Sequence, residues 1–262
     1  MNKKIKKIIA KKNKSKILSL TAYSKNIAQI IDKYVDMTLV GDSMASVLYN
    51  YNTTRKITLD TMIEHAKSVS MGINNSLMVF DMPYNTYRNK KIALINAQKV
   101  IKKTKSDAVK LEGGSEVEDS IKRIIESGVP VMGHLGLTPQ SIYKFGTYTV
   151  RAKQSEEIKK LKNDIKKLEK AGCFAVVLEK IPAKLAKELT ESVKIPIIGI
   201  GAGSDVDGQV LVMHDMLGMN MKFNPRFLRR YSNLSEIIDE AVKKYIVDVK
   251  NNSFPNKDEE YN

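Results

Sequence analysis

Residues 108–136 read AVKLEGGSEVEDSIKRIIESGVPVMGHLG. The stretch opens on Ala108-Val109-Lys110-Leu111-Glu112, a short run closed by Gly113-Gly114. Val117, Ile121, Ile124 and Ile125 then recur at helical spacing. A second short run, Pro130-Val131-Met132-Gly133-His134, follows. This is one strand–helix–strand unit. Its strands are mostly apolar on both faces, as in a parallel sheet covered by helices.

The same unit repeats outward in both directions. Upstream runs are Ile17 to Tyr23, Met37 to Asp42 and Leu77 to Asp81, separated by stripes such as Leu59, Met62, Ile63, Ala66 and Val69. Downstream runs are Phe174 to Glu179 and Ile195 to Ile200, with Ile158, Leu161, Ile165 and Leu168 on the helix before them. An eighth candidate, Val210-Leu211-Val212-Met213, fits a strand or a helix equally well. A doubly wound sheet and a barrel both satisfy the alternation. Eight near-equal units favour a (β/α)8 TIM barrel in a single domain over residues 17–250. Residues 1–16 read as a basic extension expected to fray, and 251–262 as a polar tail.

The chain has 262 residues, with 44 Lys+Arg against 29 Asp+Glu and a formal charge of +15. Residues 1–16 hold eight Lys and no acid. The remaining charge is spread over helical faces without a recognition motif, so no specific nucleic acid is expected as a partner. One cysteine, Cys173, excludes an internal disulfide framework. No apolar run approaches the ~20 residues of a membrane span, and no apolar signal segment of about 7 residues or more opens the chain. A cytoplasmic protein is expected.

The chemistry sits at the ends of the runs. The second ends at Asp42-Ser43, the third at Asp81, and the fourth carries Lys110 and Glu112. The fifth ends at His134 and the sixth at Glu179. In a barrel of this kind the C-terminal strand ends converge on one mouth, where active sites lie. A single strand-end aspartate is more often a helix cap or turn residue. Three acids on adjacent strands need a shared cause, because they repel one another without a cation. Oxygen-only ligands suit Mg²⁺, Mn²⁺ or Ca²⁺. Lys110 reads either as a partner of Glu112 or as a cation for a substrate carboxylate or enolate. His134, flanked by Gly133, reads as structural or ligand-contacting, and Glu179 as a partner of Lys180 or a general acid or base.

These residues carry a resemblance. Thr21-Ala22-Tyr23, Leu39-Val40-Gly41-Asp42-Ser43, Asp81-Met82-Pro83-Tyr84, Val109 to Gly114 and Gly133 to Gln140 resemble the ketopantoate hydroxymethyltransferase family. So do Val177-Leu178-Glu179, Ile197 to Gly203 and Asp207 to Val212, in the same order along residues 17–230. The resemblance implies a barrel in a homo-oligomer, often a decamer. It implies hydroxymethyl transfer from 5,10-methylenetetrahydrofolate to 3-methyl-2-oxobutanoate, giving 2-dehydropantoate, in pantothenate and coenzyme A synthesis. It implies Asp42, Asp81 and Glu112 as Mg²⁺ ligands and Glu179 as the catalytic proton acceptor. Asp42, Ser43, Asp81, Lys110 and His134 would contact the substrate. The chain departs from the family at Ser24, Met44-Ala45-Ser46, Thr147 and Val150-Arg151-Ala152, positions expected in loops. The alternative enzyme is a related barrel of the phosphoenolpyruvate mutase and isocitrate lyase group, distinguished by folate independence. A nucleic-acid binder is the alternative from another class, and its affinity would fall steeply with salt.

Overall fold

The computed structural model describes residues 2–221 and 223–261. Eight strands close a barrel in chain order: β1 (Ile17–Thr21), β2 (Met37–Val40), β3 (Leu77–Asp81), β4 (Ala108–Glu112), β5 (Val131–Gly136), β6 (Ala175–Glu179), β7 (Ile197–Ile200) and β8 (Gly208–Leu211). Every neighbouring pair is parallel, and β8 returns to β1 through Ile17 opposite Gly208. The ambiguous eighth run is therefore a strand, displaced two residues toward the N-terminus. A Cβ on Gly208 would lie 2.7 Å from Cβ of Ile17, so glycine permits the closing strands to approach.

Register decides which side chains share the barrel interior. Asp81 lies opposite Lys110, and Lys110 opposite Met132. One step nearer the mouth, Glu112 lies opposite His134, and His134 opposite Val177. Below these polar positions the interior is apolar, with Met37, Leu77, Val79, Ala108, Met132, Ala175 and Ile198 in one cluster. Gly133 faces outward. A Cβ there would meet Leu168 of the helix Ser155–Ala171 at 2.7 Å, so this glycine serves helix packing rather than access to the His134 ring.

The N-terminal segment does not fray. Lys3–Ala10 is a helix whose Ile5 and Ile8 are fully buried and join the barrel's apolar cluster. Three lysines in and just after this helix pair with aspartates of the barrel. Lys4 pairs with Asp107 at 3.5 Å, Lys11 with Asp36 at 2.5 Å and Lys12 with Asp207 at 2.8 Å. Each aspartate also accepts a backbone N–H at a strand: Met78 for Asp107, Leu18 for Asp36 and Ile197 for Asp207. The amphipathic spacing of Ile5, Ile8 and Ile9 thus plugs the N-terminal end of the barrel, and the flanking lysines latch the plug. This is the physical reason the expected frayed extension is ordered.

The first compact unit runs to Val212 and contains all eight strands; Met213–Asn262 forms a second. The expected barrel boundary at 250 therefore falls inside the second unit. That unit carries the helix Leu234–Lys250, none of whose residues is buried. No helix among the described residues is long and apolar enough to cross a membrane.

Candidate active site

The polar strand ends meet as one network at the C-terminal mouth. Lys110 Nζ lies 2.7 Å from Asp81 Oδ1, 3.2 Å from His134 Nδ1 and 4.0 Å from Glu112 Oε1. His134 Nδ1 is 3.4 Å from Glu112 Oε1, and its Nε2 is 3.3 Å from Glu179 Oε2. The Asp42 backbone N–H donates to Asp81 Oδ2 at 3.3 Å. Asp42, Asp81, Lys110, Glu112 and His134 are all buried, whereas the Glu179 side chain keeps 16% exposure and faces the opening. Ser43 is half-buried and shares a hydrogen bond of 2.8 Å with the Tyr23 hydroxyl.

Electrostatics follow from this crowding. Burial, then the charges of Asp81 and Glu112, push the Asp42 carboxyl well above the ordinary aspartate range. Asp81 is also raised, by burial first, against the pull of Lys110. Burial acts against the charged forms of Lys110 and His134, yet the surrounding carboxylates overcome it. Lys110 is raised, and His134 is raised to about 9. Glu112 goes the other way: burial would raise it, but His134 and Lys110 hold it below the ordinary value.

The sequence-derived residues are therefore brought together, with two adjustments. Lys110 pairs first with Asp81 and only distantly with Glu112. Glu179 faces His134, while Lys180 turns away to donate to the carbonyl of Tyr148. Sequence reasoning missed three residues. Gln140 joins Asp42 and Glu112, Tyr87 donates to Gln140, and Arg55 donates to the Gln140 carbonyl while stacking over Tyr84 at 3.5 Å. Gln140 stands in a motif quoted for the resemblance, but its residue type alone assigns no role. Tyr87 lies in a loop and Arg55 in the one-turn 3-10 helix Thr54–Lys56, and neither stretch is long enough to carry a periodic signal.

Four carboxylates face two cationic side chains here, an excess of negative charge that fits a divalent cation. The donor set is oxygen only, as Mg²⁺ prefers. Among the described residues no group of three or more His, Cys, Asp or Glu forms a ready-made cage. Glu112 shows why: Oε2 accepts from the Gln140 backbone N–H at 3.0 Å, and Oε1 faces His134 and Lys110. Mg²⁺ usually needs only one or two protein carboxylates, with waters and substrate oxygens completing its shell. Asp42 and Asp81 fit that requirement.

The profile of the ketopantoate hydroxymethyltransferase family matches residues 2–257. The chain belongs to this family. The 3-methyl-2-oxobutanoate hydroxymethyltransferase of Christiangramia forsetii is 59% identical over 253 residues, covering 96% of this chain and 93% of the relative. That of Pelagibacter ubique is 55% identical over 261 residues and covers both chains fully. Like these ketopantoate hydroxymethyltransferases, the protein is a transferase enzyme. Two solved structures share the fold at low identity. Phosphonopyruvate hydrolase aligns with a TM-score of 0.65 at 9% identity, covering 97% of this chain and 90% of that one. A 2,3-dimethylmalate lyase of the phosphoenolpyruvate mutase/isocitrate lyase superfamily aligns at 0.60 and 12%, covering 100% and 93%.

The departures from the ketopantoate hydroxymethyltransferase pattern lie around the mouth. Ser24 precedes the helix Lys25–Ile31. Met44-Ala45-Ser46 lies in the short helix Met44–Val47 rather than in a loop. Ala152 is buried with φ of 55°, a left-handed conformation that costs an alanine about 1–2 kcal/mol. It is held by its N–H to Glu157 Oε2 at 2.7 Å, beside an Arg151 N–H donating to the Lys180 carbonyl at 2.8 Å.

Proposed function

We propose that the protein transfers a hydroxymethyl group from 5,10-methylenetetrahydrofolate to 3-methyl-2-oxobutanoate, giving 2-dehydropantoate and tetrahydrofolate, as a step of pantothenate synthesis. The observation that carries this reading is the buried Asp42–Asp81–Lys110–Glu112–His134 network with Glu179 at its open side. In the net reaction, the proton on carbon 3 of the 2-oxo acid is replaced by CH₂OH. The carbon comes from the folate and the oxygen from water.

Asp42 and Asp81, with Glu112 behind them, would hold Mg²⁺. When bound, the cation supplies Lewis acidity that polarises the 2-oxo group and acidifies carbon 3. Lys110 is held by Asp81 and places positive charge where the substrate's enolate oxygen develops. Ser43, fixed by Tyr23, offers a hydroxyl to the substrate carboxylate. Glu179 is the residue with both burial on one side and access on the other, so it suits proton transfer at the substrate. His134 bridges Glu179 to Glu112 and orients the Glu179 carboxylate.

We further propose a homo-oligomer, a decamer by the family resemblance, located in the cytoplasm. Ile238, Val242, Tyr245, Ile246 and Val249 leave an apolar stripe exposed on the helix Leu234–Lys250. A second copy of the chain would cover it. The latched N-terminal lysines explain part of the basic charge without nucleic acid.

Proton NMR of the protein with 3-methyl-2-oxobutanoate, 5,10-methylenetetrahydrofolate and MgCl₂ tests the reaction. The expected result is 2-dehydropantoate that requires the folate. Turnover of the 2-oxo acid that ignores the folate would assign the chain to a different enolate chemistry on this barrel.

A further inference from the structure

We infer that Gln140 is a positioning residue whose side-chain amide, aimed by Tyr87, sets the orientation of the Asp42 carboxylate toward the cation and the 2-oxo acid. The inference rests on the reading of the site given above.

Gln140 is 2% exposed and lies just past β5, 98 residues from Asp42 in sequence. Its Nε2 donates to Asp42 Oδ2 at 2.8 Å and to the Met82 carbonyl at 3.0 Å. Its Oε1 accepts from the Tyr87 hydroxyl at 2.5 Å. Both amide protons are thereby spent, and the amide has one workable orientation. Flipping it would press Oε1 against a carbonyl oxygen and a carboxylate oxygen, leaving two buried acceptors facing a third. The Tyr87 hydroxyl is itself fixed, since it lies 3.4 Å from the backbone N–H of Glu112 and accepts from it.

The main chain of Gln140 reinforces the side chain. Its N–H donates to Glu112 Oε2 at 3.0 Å, and its carbonyl accepts from Arg55 at 3.1 Å. One residue thus reaches the ends of β2, β3 and β4 at once. The choice of an amide matters chemically. A lysine would hold Asp42 equally well but cancel the charge that attracts a cation. A neutral donor fixes one carboxylate oxygen and leaves the full negative charge available. Outer partners of metal ligands act in this way.

The test uses Gln140→Met, which keeps length without a donor, and Tyr87→Phe, which keeps the ring without the hydroxyl. Each variant is checked for folding by circular dichroism. Mn²⁺ affinity is then measured by electron paramagnetic resonance without substrate, alongside the Mg²⁺ half-saturation and kcat at saturating Mg²⁺. The expected result is cation affinity weakened about 10–100-fold in Gln140→Met, with half-saturation rising in parallel and kcat at saturation falling less. Tyr87→Phe should weaken affinity less, and the double variant should be no worse than Gln140→Met alone. Unchanged affinity in folded Gln140→Met overturns the inference. If that variant fails to fold, unchanged affinity in folded Tyr87→Phe does so. Wild-type protein that forms product yet binds no divalent cation would overturn the metal reading, and this inference with it. A wild type that binds Mn²⁺ as tightly as folded Gln140→Met leaves the metal reading standing and removes only Gln140.

Discussion

Replacing Lys110 should damage stability and activity by separable routes. Its ammonium lies 2.7 Å from Asp81 Oδ1, and both side chains are only 3% exposed. Removing one partner of so buried a pair costs about 3–5 kcal/mol, because the other is left as an uncompensated charge. For a barrel of this size each kcal/mol is worth roughly 2–4 °C, so Lys110→Met should lower the melting temperature of cation-free protein by roughly 6–20 °C. The sign with pH is fixed. Asp81 already sits above the ordinary 3.8 through burial, and without Lys110 it rises further. A carboxyl raised in the folded state is stabilised as the neutral acid. The deficit of Lys110→Met relative to wild type therefore grows as pH rises above the folded wild-type value of Asp81, which itself lies above 3.8. Combining Lys110→Met with Asp81→Asn removes both charges and should restore most of the melting temperature. Activity should not return. Losing one preorganised electrostatic group costs about 10²–10³ in rate, and proton exchange at carbon 3 of the substrate should fall accordingly. Thermal melts in EDTA and NMR exchange rates provide both readouts. A Lys110→Met protein melting within about 2 °C of wild type would refute the pairing on this scale. Exchange at the wild-type rate would refute the catalytic role.

Three further outcomes are expected. His134 is raised from 6.5 to about 9, so its contribution is complete below 6.5 and is lost as pH rises through about 9. Urea unfolding of metal-free protein should show stability falling across that window, and His134→Gln should flatten the fall. Asp32 accepts backbone N–H bonds from Asn74, Asn75 and Ser76, which overcome its burial and hold it below the ordinary 3.8. Its contribution is present above 3.8 and lost as pH falls through the lower folded value. Asp32→Asn should cost about 1–3 kcal/mol at neutral pH and remove that acid-side dependence in denaturant titrations. Ile5→Ala and Ile8→Ala should each cost about 2–5 kcal/mol by calorimetry, the scale of emptying a packed core site. A loss under about 0.5 kcal/mol, typical of surface positions, would contradict the plug at the barrel's N-terminal end.

The barrel was legible because its strands are apolar runs of nearly equal spacing, most of them ended by a polar group. The same regularity exposed Asp81, Lys110, Glu112, His134 and Glu179, since a charge inside or just after a buried strand has few bland uses. Val210 to Met213 was less legible because a short apolar run has no period that separates strand from helix. The N-terminal plug was hidden by composition. Ile5, Ile8 and Ile9 carry the helical stripe, but eight lysines around them dominate the local character. Register was not written in any one strand, so the pairing of Lys110 with Asp81 rather than Glu112 emerged only from β3 lying beside β4. Gln140 and Arg55, each in a single 3-10 turn, and Tyr87, in a loop, hydrogen-bond through tertiary approach, for which so short a stretch carries no local signature.

The central claim is that this mouth makes an enolate of a 2-oxo acid with Glu179 moving the proton. The most direct measurement is deuterium incorporation at carbon 3 of 3-methyl-2-oxobutanoate, followed by proton NMR in D₂O with MgCl₂ and no folate. Exchange is expected with wild-type protein, and a loss on the order of 10²-fold or more is expected with Glu179→Gln and with Asp42→Ala. No exchange with folded, Mg²⁺-supplied wild type, or undiminished exchange in Glu179→Gln, would contradict the account.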